Sequence, residues 1–98
     1  MIYNKLVRDR IPEIIQKKGG NAKIHIADET EYNQKLRDKL MEEVQEFLSA
    51  NNEEELADVL EVLEAICESF NMKRVGDLKI MKIRENGKFQ KRIILEEA

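Results

Sequence analysis

Between Glu42 and Asp58 the chain places seven carboxylates and no basic residue. Crowding like charges in this way is unfavourable unless water solvates them or a cation sits among them. The same region carries the apolar period of two helices. Leu36, Leu40, Val44, Phe47 and Leu48 recur at helical intervals before a break at Asn51 and Asn52. Leu56, Val59, Leu60, Leu63, Ile66, Cys67 and Phe70 do so after it. Two long helices joined by so short a break fold back on each other. The chain is therefore expected to form an antiparallel helical hairpin over 31–50 and 53–71.

The remaining segments are read around that hairpin. "LVRDRIPEIIQKKGG" is a short helix, with Asp9 as its cap, Pro12 in its first turn and Gly19 and Gly20 as its stop. Asp28 or Thr30 caps the first long helix. "MKRVGDLKIMKIREN" is a further helix that ends at Gly87. "NAKIHIA" alternates Ile24 and Ile26 with polar neighbours, and "KFQKRIILEE" closes the chain as a second strand. The expected fold class is all-α, a helical hairpin or bundle, with a small two-stranded β-ribbon from residues 22–27 and 89–95. A chain of 98 residues forms one domain, 1–98.

Composition narrows the functional classes. No apolar run approaches the ~20 residues of a membrane span. The opening residues lack an apolar signal-peptide core, and the lone Cys67 fits a reducing compartment, so a cytoplasmic protein is expected. The net charge of −3 conceals a segregation. Residues 1–23 carry six basic and two acidic side chains, 28–68 carry three and fourteen, and 73–95 carry eight and two. The acidic middle argues against a nucleic-acid partner. Mutual neutralisation at the surface explains the pattern, and so does a site that needs carboxylates for a metal and cations for phosphate.

Spacing selects four of the acids. Glu43 and Glu46 are three residues apart on one expected helix, and Glu55 and Asp58 are three apart on the other. Residues at that interval share a helix face. The pairs are symmetric about the break, with 43 opposite 58 and 46 opposite 55. Oxygen donors in this number suit Mg²⁺, with Mn²⁺ as the alternative, and not zinc. Glu61, Glu64 and Glu68 fall on a face that water solvates, and spacing alone leaves solvation and metal binding both open for the four. His25 is expected to face out and Cys67 to face the core. The wide apolar stripes of the long helices are more than one short partner covers, so a homodimer or higher homo-oligomer is expected.

At "EEVQE" followed by "ELAD" the chain resembles the EExxE…ExxD signature of the MazG-like all-α nucleoside triphosphate pyrophosphohydrolases. "YNKLVRDRIPEII" and "NGKFQKRIILEE" are similar to the short phosphoribosyl-ATP pyrophosphohydrolase-like subfamily. The resemblance spans nearly the whole chain, although "ENGKF" stands where a more basic Gly-Gly turn occurs in that subfamily. It implies Mg²⁺ held by Glu43, Glu46, Glu55 and Asp58, and hydrolysis of a nucleotide to monophosphate and pyrophosphate, as in the clearance of non-canonical nucleotides. Glu42 or Glu46 would accept the proton of the attacking water. Lys5, Arg8, Lys82, Arg84 and Lys88 would steady the phosphates. Two other readings are a phosphoribosyl-ATP pyrophosphohydrolase of histidine biosynthesis and an inactive helical interaction module. A broken acidic motif would mark the latter, and here all four acids are present.

Overall fold

The computed structural model describes residues 4–98. Among these residues four helices follow one another: α1 (Ile11–Lys17), α2 (Glu29–Ala50), α3 (Glu53–Ser69) and α4 (Val75–Asn86). The boundaries of the long pair have local causes. Asp28 sits in extended backbone, and its carboxylate accepts the N–H of Glu31 at 2.8 Å, which caps α2. Glu29 and Glu31 then meet the positive end of the helix dipole. Asn51 takes the left-handed conformation, φ 52°, that asparagine tolerates better than most residues. Asn52 returns to extended backbone, and its side-chain oxygen accepts the N–H of Glu55 at 2.9 Å. One asparagine ends α2 and the next begins α3, so the chain reverses in two residues.

Only the α2–α3 pair packs extensively among the described residues. The pair is also tied at its open end, where the Ser69 hydroxyl donates to Asn33 Oδ1. There, too, the Arg37 guanidinium lies 5.4 Å over the Phe70 ring. Leu36 is completely enclosed between the helices. Leu40, Val44 and Phe47 on α2, and Val59, Val62 and Ile66 on α3, are half-buried around it. The expected stripes were too wide. Leu48, Leu56, Leu60 and Leu63 are exposed, and so is Met41. They form a second apolar row that the hairpin itself leaves open.

Two expectations at the ends are corrected. Asp9 does not cap α1: Arg10 occupies the N-cap without a side-chain hydrogen bond, and Pro12 lies in the first turn. The β-ribbon is absent too. Residues 22–27 and 89–95 carry no regular secondary structure, and Ile24, Ile26, Phe89, Ile93, Ile94 and Leu95 project into solvent. Two strands alone are marginal without a helical surface beneath them. Here α4, which would carry the second strand back, keeps Val75, Leu78, Ile80 and Met81 exposed rather than lying along the hairpin.

The result is an elongated chain, 57 Å in its longest dimension. Its radius of gyration is 17.9 Å, against about 13 Å for a compact chain of this length. It exposes 9349 Å², whereas a compact monomer of 11.5 kDa would expose roughly 5800 Å².

Removing the cap that starts α3, Asn52→Ala, should cost about 1 kcal/mol in chemical denaturation. Leu36→Ala should cost about 2–5 kcal/mol, because it opens a cavity where the hairpin is tightest.

Candidate functional site

Alongside Leu36, a second described residue is buried, and it is charged: Glu43, 6 % exposed. It lies seven residues after Leu36, two turns along the same face of α2, and so points into the seam. Across the seam, Glu55 and Asp58 occupy the row of α3 that continues into Val59 and Val62. One oxygen from each of Glu43, Glu55 and Asp58 lies within 4.8 Å of the other two. Two carboxylate oxygens here, Glu43 Oε2 and Glu55 Oε2, are buried without a hydrogen-bond partner among the described residues. A buried acceptor left in that state costs about 1–3 kcal/mol. Octahedral Mg²⁺ holds its oxygens at ~2.1 Å, so donors on opposite sides stand ~4.2 Å apart. These three carboxylates are thus spaced to close on such an ion with small side-chain movements. The donor set and the unpaired oxygens both fit it.

Burial pushes the Glu43 carboxyl above its ordinary value, and the neighbouring charge of Glu46 adds to the shift. Lys39, 3.2 Å from Glu43, opposes it without cancelling it. Burial also acts on Glu42, but hydrogen bonds and charge from Lys5 and Lys39 outweigh it and hold that carboxyl below its ordinary value. For Arg8 the hydrogen bond to Asp58 is the largest influence, and the guanidinium is held more firmly in its charged form.

Cations rim the cluster. Lys39 bridges Glu42 at 3.3 Å and Glu43. Lys5 Nζ lies 3.1 Å from Glu42 Oε1. Arg8 Nη2 donates to Asp58 Oδ1 at 2.6 Å, and its Nη1 pairs with Glu61. Residues 4–8, without regular secondary structure, therefore cross the hairpin as an arm. Lys35 anchors its start by donating to the Asn4 carbonyl at 2.6 Å.

Of the four acids that spacing selected, the structure gathers Glu43, Glu55 and Asp58. Glu46 is exposed. Three residues turn a helix by 300°, so Glu46 sits roughly 60° round α2 from Glu43, toward solvent. Glu42 is half-buried and tied by its two lysines. The basic residues divide by terminus. Lys5 and Arg8 reach the acids. Lys82, Arg84 and Lys88 are exposed, with no ion pair to those acids among the described residues. Lys39 was missed from sequence as a member of the site, although its spacing of four before Glu43 signals the pair. Glu61, assigned to a solvated face, is half-exposed and holds Arg8. His25 is exposed, 2.9 Å from Glu31, and Cys67 is a half-buried free thiol.

No family model, curated protein or solved structure matches the chain.

The two shifted glutamates give stability opposite pH slopes. Glu43 keeps its proton in the folded state at a pH where the unfolded chain has lost it. It therefore stabilises below the ordinary glutamate value and loses that contribution as pH rises through its raised value. Glu42 contributes stability above the ordinary value and loses it as pH falls through its lowered one. Denaturation midpoints measured in chelator should fall less with rising pH in Glu43→Gln than in the unaltered protein.

Proposed function

We propose that the chain is a Mg²⁺-dependent nucleotide pyrophosphohydrolase of the MazG-like type, with Mn²⁺ able to replace Mg²⁺. One observation carries this reading. Glu43 and Glu55, which fall on the EExxE…ExxD pattern, bury oxygens without partners beside Asp58. An acidic surface face would leave such oxygens to water. Retention of all four patterned acids also supports an active enzyme over an interaction module.

A divalent cation on Glu43, Glu55 and Asp58 would neutralise phosphate charge and lower the pKa of a bound water. The chain supplies the rest. Glu46, exposed one turn beyond Glu43 and beside its carboxyl, would take a proton from water attacking the α-phosphorus. Glu42 is occupied by Lys5 and Lys39, so Glu46 is the better base. Attack breaks the bond from the α-phosphorus to its bridging oxygen and releases pyrophosphate. Lys5, Arg8 and Lys39 stand at the cluster to meet the polyphosphate.

The protomer also presents surface that its own fold does not cover. It exposes about 3500 Å² more than a compact monomer would. Met41 and Leu48 on α2, with Leu56, Leu60 and Leu63 on α3, supply apolar rows for a helix from another copy. A homodimer or higher homo-oligomer is the assembly proposed. No helix among the described residues is long and apolar enough to cross a membrane, and a cytoplasmic location suits the substrate class.

Purified protein should release pyrophosphate with Mg²⁺ from at least one member of a panel of nucleoside triphosphates and phosphoribosyl-ATP. The responding member identifies the substrate. Glu55→Gln should reduce that rate to background while keeping its helical circular dichroism. Mg²⁺ or Mn²⁺ should raise the melting temperature of the unaltered protein and not that of Glu55→Gln. Light scattering at micromolar concentration should give a mass at least twice 11.5 kDa.

A further inference from the structure

Asp58 is claimed twice. Its Oδ1 accepts Arg8 Nη2 at 2.6 Å. The same residue also stands with Glu43 and Glu55 in the three-carboxylate group. Glu43 is more than nine-tenths buried, and its Oε2 and that of Glu55 have no partner among the described residues. Arg8 does not reach those oxygens; it touches the outer edge of the group, at Asp58, and the next turn of α3, at Glu61. Its side chain is 56 % exposed, and an ion pair so open to water contributes little to stability. A guanidinium held against a carboxylate that ligates a dication would face like charge at close range. Glu61, half-exposed and outside the three-carboxylate group, offers it somewhere to remain.

We infer that Arg8 is a displaceable counter-ion: its guanidinium neutralises Asp58 in the metal-free protein, and a divalent cation drives it from Asp58 and loosens the N-terminal arm. This rests on the reading that Glu43, Glu55 and Asp58 bind such a cation. The arm is built for release. Residues 4–8 have no regular secondary structure, and the arm's polar ties include Asn4 to Lys35, Lys5 to Glu42, and Arg8 to Asp58 and Glu61. Losing the Asp58 contact leaves the end of the arm nearest α1 held by Glu61 alone, while Lys35 still holds the start. Cation binding would thus be reported at the surface as a change in how 4–10 lies on the hairpin. Conversely, a firmly seated arm would weaken cation binding by the same factor.

The test uses the full chain and Mn²⁺ alone, without nucleotide, at low ionic strength. Titration calorimetry compares the unaltered protein, Arg8→Gln and Glu55→Gln. Arg8→Gln should bind Mn²⁺ at least about five-fold more tightly, since removing a competitor of this kind yields coupling on that scale. The gain should shrink in high salt. Hydrogen exchange gives an independent reading on the unaltered protein. Mn²⁺ should accelerate exchange across residues 4–10 while α3 stays protected. Equal or weaker binding by Arg8→Gln, with binding by the unaltered protein and none by Glu55→Gln, overturns the counter-ion role and leaves the cation site standing. If the unaltered protein binds no Mn²⁺, or Glu55→Gln binds it equally well, the cation reading fails and the inference falls with it. Unchanged or slowed exchange over 4–10 on Mn²⁺ binding also overturns the inference.

Discussion

A carboxylate buried in the seam of the α2–α3 hairpin is the constraint on which the rest of this structure turns. Glu43 shares its helix face with Leu36, so the packing that closes the hairpin also desolvates a charge. Burial raises its proton affinity, and Lys39 relieves only part of the penalty. Two-residue reversal at Asn51 and Asn52 sets the register, and that register brings Glu55 and Asp58 against Glu43. Shifting α3 by a single residue would rotate both acids away by about 100°. The caps, the reversal and the cluster are therefore one piece of geometry. A fold that needed only a stable hairpin would place an aliphatic residue at position 43.

Charge segregation acquires a physical sense at one end of the chain. The basic N-terminal arm lies on the acidic hairpin, where Lys5 and Arg8 balance Glu42, Asp58 and Glu61. The basic stretch from α4 onward does not return to the same acids, and its apolar residues remain as open as its charges. Both this stretch and the second apolar row of the hairpin are surfaces that a single protomer leaves unfinished. In the proposed assembly, neighbouring copies would complete them.

The hairpin was legible because apolar spacing and two asparagines determine it locally. The pairing of 43 with 58 was legible because an antiparallel hairpin is symmetric about its turn. What lay beyond the sequence depended on distance through space. The alternation of 22–27 and 89–95 looked like a ribbon, but strands need a surface to lie on, and the position of α4 denies them one. The stripes were drawn too wide, since periodicity cannot tell which side of Leu56, Leu60 and Leu63 has a partner. Lys39 does not enter the site from sequence, and Glu61 falls there on a solvated face. The first could have been found from its spacing of four before Glu43, whereas the second required knowing where the arm crosses α3.

The central claim is that Glu43, Glu55 and Asp58 together form a divalent-cation site. Paramagnetic broadening of amide resonances by substoichiometric Mn²⁺ locates such a site in solution without reference to any substrate. Broadening should centre on residues around 43, 55 and 58 and disappear in Glu55→Gln. Broadening spread evenly over the acidic surface, or centred on Glu61, Glu64 and Glu68, would contradict it.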